Sequence, residues 1–141
     1  MKIWDINFSR EVSVNIRKYL IDWNSAPSKE QKIIQDFLYP YWRHKIVLRE
    51  FRIPSSLLRI DLFCYTSRLC LEYSPTSHHG TFNKFFHKNE ANYKESIIRD
   101  YNKYDWINHP KNNLRYLELN EHDLSNLSVG YIEKKFGINI I

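Results

Sequence analysis

Glycine is scarce in this chain, with three isolated residues in 141. That excludes a glycine-rich loop cradling phosphates at a helix start. The two cysteines, Cys64 and Cys70, are too few for a disulfide framework or a four-ligand zinc site. No apolar run approaches the roughly 18 residues a membrane helix needs. Met1-Lys2-Ile3-Trp4-Asp5 is not the start of a secretory signal. A cytoplasmic protein with no membrane partner is therefore expected. Internal repeats, low-complexity tracts and linkers are also missing, so one domain should span residues 1–141. Its core should lie at residues 28–136, with an N-terminal helix within 1–27 as an appendage.

What is present is a core and a charge. Hydrophobic residues make up 43% and aromatic residues 16% of the chain. A domain of this length buries roughly 70% of its unfolded surface. Lysine and arginine number 21 against 16 acids, a net charge of +5. Such an excess mildly favours a polyanionic partner.

Ser9 is placed to cap a first helix carrying Ile16, Tyr19, Leu20 and Trp23 at helical spacing. Ser28 and Gln31 form a capping box for a second, with Ile33, Ile34, Phe37 and Leu38 on its apolar face. Pro40 should end or bend it. Strands follow at 46–53, 57–65 and 68–73, with Pro54-Ser55-Ser56 as a turn. Residues 74–89 read as a loop, and a long helix runs from about Glu90 to Asn108. A strand at 113–119, a helix capped by Asn120 and Asp123 and ending near Gly137, and a short strand at 138–141 complete the chain. The order predicts an α/β fold, a mixed sheet with helices on its faces.

Asp61 and Glu72 interrupt two of the apolar strand runs, Arg59-Ile60-Asp61-Leu62-Phe63 and Leu69-Cys70-Leu71-Glu72-Tyr73. Burying a carboxylate is costly unless it binds a metal or pairs with a cation. With a two-residue turn at Thr66-Ser67, facing residues have numbers summing to a constant, and Asp61 lies opposite Glu72, their Cβ atoms about 5 Å apart. Two facing carboxylates repel, which a shared proton or a divalent cation would relieve. The alternative is an edge hairpin with both acids in water near Arg59 or Arg68. The same register sets Cys64 and Cys70 on opposite sides of the sheet, as free thiols. Glu30 shares a helix face with Ile33, Ile34 and Phe37 and is the candidate third acid, unless it only favours the helix N-terminus. Glu50 is a weaker candidate.

A helical acid, an aspartate, about ten residues, and a glutamate on the next strand resemble the PD-(D/E)XK nuclease superfamily. The surrounding residues look like its small branch, related to very-short-patch-repair endonucleases and to phage or mobile-element nucleases. The resemblance rests on Leu57 to Asp61, Leu71-Glu72, His78-His79, Arg99-Asp100, Tyr116 to Leu119 and Asp123-Leu124. It implies a restriction-endonuclease-like mixed β-sheet flanked by helices, and Mg2+- or Mn2+-dependent cleavage of DNA. Asp61, Glu72, the Tyr73 carbonyl and Glu30 would hold the metal. Lys84, Lys88, Lys94, Arg99 and Lys103 would contact the DNA backbone, and a double-strand cut would call for a homodimer.

One position departs from the pattern. Ser74 stands where the superfamily usually has a lysine, and serine supplies no positive charge. His78 or His79 would then assist catalysis. A nuclease fold that binds nucleic acid without cutting it is the alternative, and a structural domain with solvated acids is a third reading. His78, His79 and His87 have no standard zinc spacing. Phe82, Phe85 and Phe86 either seat a loop or stack on bases. Trp4, Trp23, Trp42 and Trp106 are expected in the core.

Overall fold

Three short runs rich in branched and aromatic residues form consecutive strands of the main sheet. They are β3 (Val47–Arg52), β4 (Arg59–Cys64) and β5 (Leu69–Tyr73). They pair antiparallel as a meander, and β6 (Arg115–Leu119) joins β5 in parallel, giving a four-stranded mixed sheet in the order β3-β4-β5-β6. The computed structural model describes residues 1–75 and 90–141, with side chains in the long helix described from Lys94 onward.

A parallel neighbour requires a crossover, and here it contains α2 (Glu90–Asn108). That helix seats Trp106 and Ile107 on one sheet face, among Leu48, Phe63 and Cys70. The other face, with Leu62, Cys64, Leu71 and Leu117, receives α1 (Lys29–Trp42) and the C-terminal helix α4 (Val129–Phe136) through Ile34, Leu38, Trp42 and Ile132. The two cysteines sit on opposite faces and are free thiols, as the register predicts.

The N-terminal segment departs from expectation. No helix starts at Ser9. Instead β1 (Lys2–Trp4) and β2 (Glu11–Ser13) form a two-stranded sheet, followed by a 3-10 turn at Ile16–Tyr19. The reason lies in polar satisfaction and packing. Asp5 accepts from the Ser9 amide at 2.8 Å, which turns the chain back on itself. Ile3 is 2% exposed, and the Trp106 indole donates to the carbonyls of Trp4 and Asp5 at 3.1 and 3.2 Å. Leu20 bridges to Leu48, and Ile3, Ile16 and Tyr19 pack in the same cluster as Leu48 and Trp106.

Helix α1 begins at the expected Ser28 cap, where the hydroxyl accepts from the Gln31 amide at 3.1 Å. It passes through Pro40 to Trp42 because the proline falls in the last turn and Trp42 is fully buried, its indole bonded to the Ile140 carbonyl at 2.7 Å. The buried face is Gln31, Ile34, Gln35, Leu38 and Trp42, rotated from the expected one, while Ile33 is exposed. Trp42 and Trp106 fill the core as expected; Trp4 and Trp23 are half-buried.

The expected final helix is two helices. The Asn120–Asp123 capping box opens the single turn α3 (Glu121–Leu124), and Ser128 caps α4, which ends at Gly137 in the left-handed conformation. No strand forms at 138–141. Asp123 locks the corner. Its carboxylate, 1% exposed, accepts from the Asn120 amide at 2.9 Å, the Tyr131 hydroxyl at 2.6 Å and the Lys135 ammonium at 2.5 Å. Burial works against its charge, but the bonds from Lys135 and Tyr131 outweigh it and hold the carboxyl below its usual range. Its contribution is therefore present at neutral pH and lost as pH falls through the lowered value. Asp123→Ala should cost about 2–4 kcal/mol in urea unfolding at pH 7. A loss below about 0.5 kcal/mol would show that the corner does not depend on it.

Candidate functional site

Strands β4 and β5 stay in register from Cys64↔Leu69 to Leu62↔Leu71, and the next pair in that series is Asp61 and Glu72. There the side chains take over from the backbone ladder. The Asp61 amide donates to Glu72 Oε2 at 3.4 Å, and the Tyr73 amide donates to Asp61 Oδ2 at 3.0 Å. Each carboxylate is thus anchored by the main chain of the opposite strand. The strands fork around the two acids.

The fork is continued on the other side of β4. Pairs Arg49↔Leu62 and Phe51↔Ile60 flank Glu50 and Asp61, which do not pair, and Glu50 has a φ of 54°. A left-handed glutamate in a strand is strained by about 1 kcal/mol or more. The break in alternation is what allows Leu48 and Phe51, three residues apart, to enter the same core cluster. On the far side, Glu118 of β6 is the register partner of Glu72 and accepts from the Tyr116 hydroxyl at 3.0 Å. Glu50, Asp61, Glu72 and Glu118 therefore stand at one level across the four strands.

Among the described residues, a lysine of the crossover helix is paired with this row. Lys103 of α2 places Nζ 2.9 Å from Glu72 Oε1, with its side chain 20% exposed and that of Glu72 10% exposed. Trp106 and Ile107, one turn further along α2, are fully buried and fix the helix there.

Electrostatics follow from burial and crowding. Glu72 is pushed up to about 7, first by burial and then by Asp61, with Lys103 opposing both. Burial likewise raises Asp61, against the Tyr73 amide and Lys103. Glu50 is raised by burial and by the Asp61 charge. Tyr116 is raised by burial, by Glu72 and by Glu118, so it stays a neutral hydroxyl. Burial and the neighbouring charge thus disfavour two ionised carboxylates side by side, a cost that a bound cation would offset.

The expected site residues fare differently. Asp61 and Glu72 are brought together. Tyr73 supplies a main-chain amide to the pair, while its half-buried side chain packs with the α1 cluster. Glu30 is on α1, on the face with Leu62 and Leu71, near enough to help raise the Tyr73 hydroxyl. The structure does not bring Glu30 to the acid pair, which meets α2 on the other face. Ser74 lies just beyond the end of β5, its amide donating to the Leu119 carbonyl at 2.8 Å. Lys94 and Arg99 are exposed on α2, and Lys103 is paired with Glu72. His78, His79, Lys84 and Lys88 lie outside the described residues, as do Phe82, Phe85 and Phe86.

The donor set is two hard carboxylates with little else. Among the described residues, no three His, Cys, Asp or Glu side chains converge as a metal-binding group. Two carboxylates fit magnesium, which keeps several waters and takes one or two protein oxygens. They do not form a closed protein cage. Among the described residues, no helix is long and apolar enough to cross a membrane. The chain matches no family model, no curated protein and no solved structure in searches of each. The class these findings define is a mixed α/β domain with an acid pair at a strand fork.

Proposed function

We propose that this chain is a magnesium- or manganese-dependent endodeoxyribonuclease of restriction-endonuclease-like architecture, acting in the cytoplasm. The observation that carries the reading is the Asp61–Glu72 pair at the fork, Glu72 buried and Asp61 half-buried, anchored by the amides of Tyr73 and Asp61. A metal bound there would lower the pKa of a coordinated water and offset charge on the scissile phosphate. The residues of the chain do the rest. The two carboxylates would hold the ion from adjacent strands, and the amides orient them. Ser74 lies two residues beyond Glu72, and His78 and His79 follow it in sequence as acid, base or phosphate ligand. Lys94 and Arg99 on α2, with Lys84 and Lys88 ahead of it in the chain, offer charge to the DNA backbone.

A second reading is favoured by one observation. Glu72 already has a counter-ion in Lys103, and Ser74 brings no charge, so the same fold would bind nucleic acid without cutting it. A third, purely structural role would leave the protein without affinity for DNA at moderate salt. The three are separated by incubating supercoiled plasmid with the protein in magnesium and in chelator, beside a duplex-binding assay. The nuclease converts plasmid only in magnesium. The non-cutting binder holds duplex equally in both buffers and converts none. A linear product formed directly would call for two copies around a twofold axis, with the exposed Ile97, Ile98 and Tyr101 of α2 available to a second copy. Nicked product alone would favour a monomer.

A further inference from the structure

We propose that Lys103 is the resident counter-cation of the acid pair and sets the charge an incoming cation must carry to displace it. The inference rests on the reading of Asp61 and Glu72 as metal ligands.

The carboxylate oxygens show why. Glu72 Oε2 and Asp61 Oδ2 are committed to the main-chain amides of Asp61 and Tyr73, at 3.4 and 3.0 Å. Glu72 Oε1 faces the Lys103 ammonium at 2.9 Å. A metal ion that takes Glu72 through Oε1 would meet that ammonium at the same oxygen, and the two cations repel. Lysine suits an exchangeable occupant because it is a compact point charge on a flexible four-carbon stem. The Lys103 side chain retains 20% exposure, against 10% for Glu72, so it is the more exposed member of the pair. Its backbone has no such freedom. Trp106 and Ile107 are fully buried, and the Trp106 indole is bonded to the carbonyls of Trp4 and Asp5.

The charge threshold follows from this exchange. A monovalent ion replacing the ammonium brings the same charge and loses the ion pair. A divalent ion adds one positive charge beside a row that contains Glu50, Asp61, Glu72 and Glu118. The site thereby discriminates by charge before it discriminates by coordination number. A lysine that merely oriented Glu72 would have the opposite consequence, because its loss would disorder a ligand and weaken binding.

Mn2+ binding is measured at pH 8 by electron paramagnetic resonance, without DNA, in wild type, Lys103→Met, Lys103→Arg and Glu72→Gln. Lys103→Met should bind Mn2+ about tenfold more tightly than wild type. Potassium at about 0.1 M, a level that still screens only beyond about 10 Å, should compete in that variant and not in wild type. Lys103→Arg, which keeps the charge, should stay close to wild type. Lys103→Gln carries the same expectation as Lys103→Met, so a poorly folded methionine variant does not remove the test. Equal or weaker Mn2+ binding in the neutral variants, with wild type binding normally, overturns the proposal and leaves the acid pair intact as a metal site. Absence of Mn2+ binding in every protein, or unchanged binding in Glu72→Gln, overturns the metal reading and this proposal with it.

Discussion

Asp61→Asn and Glu72→Gln should each lower magnesium-dependent plasmid nicking by about 10³-fold or more, while duplex binding stays within a few-fold of wild type. The substitutions are chosen because the structure shows what they preserve. Asparagine keeps an oxygen to accept from the Tyr73 amide, and glutamine keeps one to accept from the Asp61 amide. The fork should survive, and circular dichroism should match wild type. What disappears is one of two negative charges in a site with no third converging acid among the described residues. A site that holds its ion through two carboxylates has no spare ligand, so either loss should approach the effect of both. Nicking near the wild-type rate in either variant would remove the proposed site, whatever the plasmid assay shows for the unaltered chain.

The second large effect concerns stability. Glu72 is held near 7 by burial and by Asp61, against an ordinary value of 4.5, and Asp61 is raised as well. A raised carboxyl means that the folded protein binds a proton the unfolded chain has released. Stability is then greatest below the unfolded value and falls as pH rises from about 4.5 to about 7. For Glu72 the span corresponds to about 3 kcal/mol. Without divalent ions, urea unfolding should therefore show wild type losing about that much between pH 5 and pH 8, beyond what Glu72→Gln loses. Manganese at about a hundred times its dissociation constant should restore about 2.7 kcal/mol at pH 8, in wild type and not in the glutamine variant. Parallel pH profiles for the two proteins would show that burial and like charge do not raise the pair.

Much of this was legible in the sequence because it depends on local chemistry and strand parity. The Thr66-Ser67 turn fixes the β4–β5 register, and parity alone then sets Asp61 against Glu72 and separates Cys64 from Cys70. The long helix Glu90–Asn108 lies where the sequence placed it and stops before Pro110. The N-terminal segment was misread because the spacing of Ile16, Tyr19, Leu20 and Trp23 imitates a helix. The deciding interactions are distant: Trp106 to Trp4 and Asp5, and Leu20 to Leu48. Glu30 was misplaced for a related reason. Helical periodicity gives a face but not the side of the sheet on which that face lands. Glu118 carried a usable signal, since Tyr116-Leu117-Glu118-Leu119 alternates and a parallel neighbour of β5 would align it with Glu72. The role of Lys103 had none, because it depends on where the crossover helix α2 lies.

The most direct measurement is a crystal structure soaked with manganese, read by its anomalous signal. The account predicts one peak within bonding distance of carboxylate oxygens of both Asp61 and Glu72, with the Lys103 ammonium withdrawn from Glu72 toward solvent. No peak between the two acids at millimolar manganese, with Lys103 still paired to Glu72, would contradict it.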